Sequence, residues 1–447
     1  MKKRIKINLY LLAFAMFPAL VSAQSVQNVF SLKEAQQFAM QNSYVLHNTR
    51  LDITKAQKEV WKTITIGLPQ VTGSANYNMF LNLPVSLIPG EFFGGEPGTY
   101  VPVKFGQDFN SDFGLTVNQL IFDGSYIVGV GSSQIYLNLA KQANEKNEID
   151  IREAVAQAYY LVLIGLENKK VMEENLENVK KLYTETKAYF DNGFREEQDV
   201  DQMNLLVKNA ENEVVKADRE ITVAKVVLKY VMGYEMEKEI DLSDKLEEFL
   251  DPLLAVKPSG FDVSGHIDYR LAQTNFQVSE KLLNLEKAAY LPRLSGFYSY
   301  TKTSYGDKAN LFKSGVSWYP SSLVGFQLSV PIFNSGQKMF KVQQARIEVD
   351  KAETQRKLAE VTLQKDYLTA VADMESALEK LENDKENREL AEKILDKSKI
   401  KFNNGITSST ELSQIETQYI QSHGAYTASA LQVLQAGLKL KKATGEL

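Results

Sequence analysis

A chain of 447 residues with 44% hydrophobic and 24% charged residues is too apolar to be disordered, and its net charge of −5 disfavours nucleic acid as a partner. It has no cysteine, which excludes disulfides, thiolate metal sites, a lipid-modified cysteine and a cysteine nucleophile. Past the N-terminus no stretch reaches the ~18 apolar residues that a membrane helix needs, so any membrane crossing must be made by β-strands.

Residues 1–23 read as a secretory signal peptide. Lys2, Lys3, Arg4 and Lys6 form a basic end, Leu9 to Leu20 an apolar core, and Val21-Ser22-Ala23 a small-residue cleavage site before Gln24. Losing that segment takes the net charge from −5 to −9. Ser31 to Lys62 follows a helical pattern, opened by a capping box of Ser31 and Glu34. Leu68-Pro69-Gln70 turns into a strand over about 70–81, where Thr72, Ser74, Asn76 and Asn78 alternate with Val71, Ala75, Tyr77 and Met79. Leu83 to Asp112 holds four prolines and five glycines and reads as a long structured loop. A second strand spans 113–121. Phe122-Asp123-Gly124 ends it, a long helix covers about 125–192, and a shorter one 197–232.

Residues 234–265 form an irregular acidic connector, after which the plan of 24–233 recurs in 266–447. A helix over Ile267 to Ala289 leads to Leu291-Pro292-Arg293, strands over 294–301 and 324–332, and Phe333-Asn334-Ser335-Gly336. A long helix over about 336–404 follows, then a helix over 410–443. Gln337 to Asn404 contains no glycine or proline, and Val342, Val349, Leu363, Ala370 and Ala377 recur at steps of seven. That is coiled-coil spacing. From Phe122 to Gly193 is 71 residues and from Phe333 to Gly405 is 72, so the halves read as a duplication. Gly193 and Gly405 each sit where a left-handed cap ends a long helix.

Each strand has the length of a tilted membrane-crossing strand. A sheet in lipid must close, and about eight strands is the minimum. Four strands per chain therefore require several chains. Aromatic residues near the strand ends, among them Tyr77, Phe113, Tyr298, Tyr300 and Trp318, favour the membrane over a soluble sheet.

Over essentially the whole mature chain the sequence resembles the TolC-like outer-membrane efflux proteins. The resemblance is carried by Ser31-Leu32-Lys33-Glu34-Ala35 with Ala39 and Asn42, by the two Leu-Pro turns, and by the two strand-to-helix turns. The helix tips add Phe190-Asp191-Asn192-Gly193 with Asp199-Val200, and Phe402-Asn403-Asn404-Gly405 with Glu411-Leu412. It implies a mixed α/β membrane protein, mostly α. The expected assembly is a homotrimer whose twelve-stranded β-barrel sits in the lipid of the outer membrane of a Gram-negative bacterium, continuous with a periplasmic α-helical barrel about 100 Å long. The connector 234–265 would lie in an equatorial belt. The implied function is a passive exit duct for small molecules, docked to a periplasmic adaptor and an inner-membrane pump of RND or ABC type. By resemblance, Gly193, Phe194, Arg195, Gly405, Ile406 and Thr407 are exposed tip residues that meet the adaptor. Glu411 and Gln414 stand where the family places an acidic aperture, with the second acid missing. Ser408 and Glu411 also have capping-box spacing, so Glu411 has a purely structural alternative.

No catalytic constellation, phosphate loop or cofactor motif is present, and His47, His266 and His423 lie far apart in sequence, so no enzyme, metal site or cofactor is expected. Glu and Lys along the long helices read as solvated i,i+4 faces. Two other functions remain: the channel of a type I protein or peptide secretion system, and a non-conducting periplasmic coiled-coil scaffold. The signal sequence sets the first expectation. Intact mass of the purified protein should correspond to a chain beginning at Gln24, and a mass that retains residues 1–23 would overturn it.

Overall fold

A computed structural model describes residues 29–254, 261–309, 313 and 315–447. The signal-peptide reading of 1–23 and connector residues 255–260 lie outside the described residues. Two helices set the dimensions: α3 (Gly124–Asp191) and α7 (Gln337–Asn403), of 68 and 67 residues. At 1.5 Å per residue each is about 100 Å long. Each folds back on a 36-residue helix, α4 (Glu197–Met232) and α8 (Ser409–Thr444) respectively. Each half also carries a 22-residue helix ahead of its strands, α2 (Tyr44–Thr65) and α6 (Ile267–Ala288). Equal lengths in the same order make the duplication visible in three dimensions.

The long helices pack as coiled coils. Along α7 the buried residues Leu363, Ala370, Met374, Ala377 and Leu381 keep heptad spacing, and Ala391, Leu395, Ser398 and Phe402 resume it towards the tip. Alanine at several of these positions brings the helix axes close. Opposite them, α8 buries Leu412, Ala430 and Leu434 at the same three-and-four rhythm.

The four long strands form one antiparallel sheet in the order β2 (Gln70–Met79), β5 (Phe109–Asp123), β7 (Arg293–Gly306), β8 (Tyr319–Ser329). Its register sorts most of the side chains by chemistry, with Lys302 on the apolar face and Phe297 and Leu323 on the polar face as exceptions. Val71, Val117, Tyr298 and Val324 stand opposite one another on one face. Thr72, Thr116 and Ser299 line up on the other.

The structure corrects several boundaries. β5 and β7 extend beyond 113–121 and 294–301, because backbone pairing continues past the alternating cores as far as Phe109–Gly306. β8 begins at Tyr319 and stops at Ser329, short of 332. Pro331 has no N–H to donate, so the ladder ends before it. The loop Leu83–Asp112 contains its own antiparallel hairpin, β3 (Val85–Pro89) with β4 (Tyr100–Lys104), bridged by a single turn of helix. The helix over Ser31–Lys62 is two helices, α1 (Leu32–Asn42) and α2, broken at Ser43. Gly233 presses on that break: a Cβ there would stand 2.5 Å from the Asn42 carbonyl oxygen.

The connector is more ordered than its composition suggests. β1 (Val29–Phe30) pairs in parallel with β6 (Asp241–Leu242), and α5 (Leu246–Leu254) lays Leu246, Leu250 and Leu253 onto the middle of the long helices. Tyr159 of α3, fully buried, donates from Oη to the Phe30 carbonyl at 2.9 Å. Burial pushes its phenol well above the ordinary range. Tyr159→Phe should keep the packing but leave that carbonyl only its 3.1 Å bond from Ser243 N, at a cost of about 1 kcal/mol. Hydrogen exchange should then speed up at residues 29–30 and 241–242 and leave the helical amides elsewhere unchanged. Unaltered exchange at β1 and β6 would refute the role given to this bond.

Candidate functional site

The sheet offers a wall with two chemistries. On the polar face Asn76 Nδ2 donates to Asp112 Oδ2 at 2.9 Å, and Asn78 Nδ2 to Asn110 Oδ1 at 2.8 Å. Thr116 and Ser299 hydroxyls meet at 3.2 Å one strand further on. The opposite face presents exposed Val71, Leu115, Val324, Phe326 and Leu328. At either side, β2 and β8 each have one neighbour in the sheet, so their outer backbone groups are unpaired among the described residues. No described helix is long and apolar enough to cross a membrane.

At the other end of the long helices lie the two tips, built alike. After α3, Gly193 N donates to Phe190 O at 2.8 Å and Phe194 N to Tyr189 O at 2.9 Å. After α7, Gly405 N donates to Phe402 O and Ile406 N to Lys401 O, both at 2.9 Å. This is the paired bonding of a Schellman cap. Gly193 and Gly405 have φ of +81° and +72° with open space where a Cβ would go, so the backbone conformation alone selects glycine.

The expected contact residues separate into two kinds. Phe194 and Ile406 project into solvent, 77% and 73% exposed. Arg195 and Thr407 do not, which corrects their reading as exposed contacts. Thr407 is 7% exposed. The Arg195 side chain is 13% exposed and reaches from the first tip to the second. Its guanidinium donates to the Phe402 carbonyl, lies 4.3 Å from the centroid of the Phe402 ring, and pairs with Asp199 at 3.7 Å. Arg195 is thus a staple between the two hairpins. It closes a small apolar core of Val179, Leu182, Met203, Leu206, Leu395, Phe402 and Leu412. No sequence signal marks this contact, which joins residues 207 apart.

Glu411 and Gln414 lie exposed in the first turns of α8. The Ser408 hydroxyl accepts from Glu411 N at 3.1 Å. The return bond of a capping box is absent, in contrast to Ser31–Glu34, where Ser31 N donates to Glu34 Oε2 at 2.9 Å. The Glu411 backbone therefore serves the cap, and its carboxylate is free among the described residues.

Of the histidines, His47 is exposed on α2, His266 caps α6 and holds Lys442 O within 3.1 Å, and His423 is buried in α8. Among the described residues no group of three or more candidate ligands could hold a metal. Sequence reasoning missed Glu416 of α8, only 3% exposed. The heptad rhythm Leu412, Glu416, Tyr419, His423 was the available signal.

The family model described as outer membrane efflux protein matches residues 36–234 and 267–446, leaving out most of the connector. No curated protein matches by sequence. Among solved structures, CusC is 14% identical, with a TM-score of 0.73 over 93% of this chain and 92% of its own. VceC of Vibrio cholerae is 15% identical, with a TM-score of 0.69 over 93% and 96%. MtrE of Neisseria gonorrhoeae, solved in an open state, is 14% identical, with a TM-score of 0.70 over 93% and 88%. Identities this low establish the shared fold.

The staple gives a test of the tip geometry. Arg195→Ala should destabilise the tip by about 2 kcal/mol, the scale of a charge-assisted bond plus a cation–π contact. Arg195→Lys should recover only part of it, because an ammonium lacks the planar fork that lies on the Phe402 ring while reaching both the carbonyl and Asp199. Limited proteolysis at 190–196 and 402–408 reads the difference. Equal resistance in all three proteins would show that the staple contributes nothing.

Proposed function

The chain belongs to the outer membrane efflux protein family, and on that premise we propose that it is the trimeric exit duct of a tripartite efflux system. Membership makes it an outer-membrane efflux channel with a large helical periplasmic part, and not an enzyme. The observation that carries the finer reading is the open sheet with one mostly apolar and one mostly polar face. Unpaired edges cannot stand in hydrocarbon. Pairing β8 of one copy with β2 of the next removes them, and three copies of a four-stranded sheet give twelve strands, above the minimum for a closed barrel. Apolar side chains then meet lipid, and the amides and hydroxyls meet a water-filled lumen.

In this reading the helical hairpins extend the lumen across the periplasm, and the connector forms part of a belt around them. Phe194 and Ile406 are the apolar points that an adaptor would grip, above the capped glycines Gly193 and Gly405. Arg195 and Thr407 shape the tips from within. Glu411 faces the mouth with its carboxylate unengaged, while Gln414 brings no charge, so three copies supply three carboxylates. A scaffold without a pore has no use for a sheet with opposed faces, which favours the duct. Substrates are small molecules handed over by an inner-membrane pump, and a protein-secreting partner would use the same conduit.

Purified protein in detergent should have the mass of a trimer and should conduct ions after insertion into a lipid bilayer. A ring of like charge favours counter-ions at a constriction. Glu411→Gln should therefore lower the preference for cations, read as a reversal potential in a salt gradient, at unchanged thermal stability. A monodisperse monomer, or no conductance, would overturn the duct. Unchanged selectivity would remove Glu411 from the mouth.

A further inference from the structure

Along α8 the residues that face the other helices follow a three-and-four rhythm, and two of those core positions, seven residues apart, hold titratable side chains: Glu416 and His423. Both are buried, at 3% and 2% exposed. Neither carboxylate oxygen of Glu416 has a hydrogen-bond partner, and neither does His423 Nε2. Asn175 of α3 stands near enough to Glu416 to ease its ionisation, yet it forms no bond of hydrogen-bond geometry with either oxygen. An ionised carboxylate in that position would have only Lys399 of α7 and Asn175 to offset its burial, and burial is the larger effect. Burial therefore favours the neutral form of the acid there.

Its place in the fold gives this a consequence. α3 packs along α4, and α7 along α8, as two hairpins, and the hairpins meet through the contacts of α8 with α3 and α4. Glu416 lies on this seam, at the edge of a groove of about 460 Å³ shared by α3, α4 and α8. We propose that Glu416 is a proton-linked latch between the two helical hairpins: protonated, it holds the seam shut, and parting of the hairpins hydrates it and releases its proton to water. No bond other than O–H breaks, and the electron pair stays on the carboxylate.

The direction follows from the surroundings. Burial raises the Glu416 pKa above the ordinary 4.5, against a smaller lowering by Lys399 of α7 and by Asn175. Around the same stretch stand Glu174 of α3, Glu213 of α4, Glu392 and Arg388 of α7, and Tyr419 on α8 itself. A group whose pKa is raised in the closed state favours that state at low pH. The advantage is lost as pH rises from the ordinary value to the raised one. His423 works the other way: burial, then Arg388, lowers it to about 4, so its contribution is lost as pH falls from 6.5 towards that value. The two terms oppose each other in mild acid, and the test must separate them.

Hydrogen exchange on the detergent-purified full chain does so, because it needs no conductance and is indifferent to the outcome at Glu411. Protection of 172–182 and 409–421 is compared between wild type and Glu416→Gln at about pH 5 and about pH 7, corrected for intrinsic exchange. Both proteins keep His423, so their difference reports Glu416. Opening in wild type should rise relative to the variant by up to about tenfold per pH unit until the raised pKa is passed. Should Glu416→Gln not assemble, Asn175→Leu decides, since removing the polar neighbour should move the wild-type transition to higher pH. Parallel pH profiles for wild type and Glu416→Gln, or an unmoved transition in Asn175→Leu, would overturn the latch.

Discussion

Backbone hydrogen bonding at the two outer edges of the sheet is the demand that the rest of the molecule answers. β2 and β8 are ten and eleven residues long and are paired on one side only. In water such edges are satisfied by solvent, but in hydrocarbon each unpaired group costs several kcal/mol. The cost is too large for side chains to offset, so the proposed closure through other copies follows from the backbone before any side chain is considered. Once the sheet closes, the pleat does the rest. The period of two sends Val71, Val117, Tyr298 and Val324 to one side and Thr72, Thr116 and Ser299 to the other. A slip of one residue would put amides into lipid, so the register is fixed by the same alternation that makes the wall. The ladder of Asn76–Asp112 and Asn78–Asn110 adds a polar tie across β2 and β5 on the side where water can reach it.

The helical part is held by a different force. Ion pairs on its surface, such as Lys351–Glu348 and Lys357–Glu353, are exposed and within one turn or so of each other, and pairs of that kind contribute little. What holds the hairpins is burial at heptad positions, concentrated where α5 and the β1–β6 pair wrap the middle, and again at the stapled tip. From the upper edge of the tip core towards the belt the seam is more polar. Glu416 and His423 take core positions that Leu or Ala fill elsewhere, and Asn175 and Thr427 add further buried polar groups. Polar residues at such positions sacrifice stability. Apolar burial is densest at the belt and at the tip, and the seam carries more buried polar groups from the upper edge of the tip core towards the belt.

The sequence made some of this visible and hid the rest for identifiable reasons. Long proline-free runs, steps of seven, alternating strands and two Gly caps are local patterns, and each is written in consecutive residues. The β3–β4 hairpin was hidden because Pro84, Pro89, Pro97 and Pro102 interrupt any alternation and leave five-residue strands. The break at Ser43 has no proline or glycine of its own, because its crowding partner is Gly233, distant in the chain. α5 was lost in an acidic stretch, although Leu246, Leu250 and Leu253 have helical spacing. At the tips the Schellman glycines were legible and the fate of their neighbours was not. Arg195 looks like a surface residue until Phe402, from the other half of the chain, arrives beneath it.

The two halves have diverged unevenly, and the pattern of divergence is itself informative. Helix lengths agree to within a residue, 22, 68 and 36 against 22, 67 and 36. They must agree, because hairpins of unequal length could not lie side by side and keep a common heptad register. No such constraint acts on the ends. The first half starts its long helix with Asp123 accepting from Tyr126 N, the second with Gly336 at φ +83°. The first shorter helix begins at Glu196 with no side-chain cap, the second at Ser408 with one. The first tip carries the arginine that crosses over, and the second carries the ring it covers and the free carboxylate of Glu411. Geometry has conserved the lengths, and chemistry has been left to vary at the ends, where each repeat contributes what the other lacks. In the proposed trimer such a duplicated chain would present six similar hairpins but only three identical charge patterns, and any selectivity at the proposed mouth would have to be built from that threefold set.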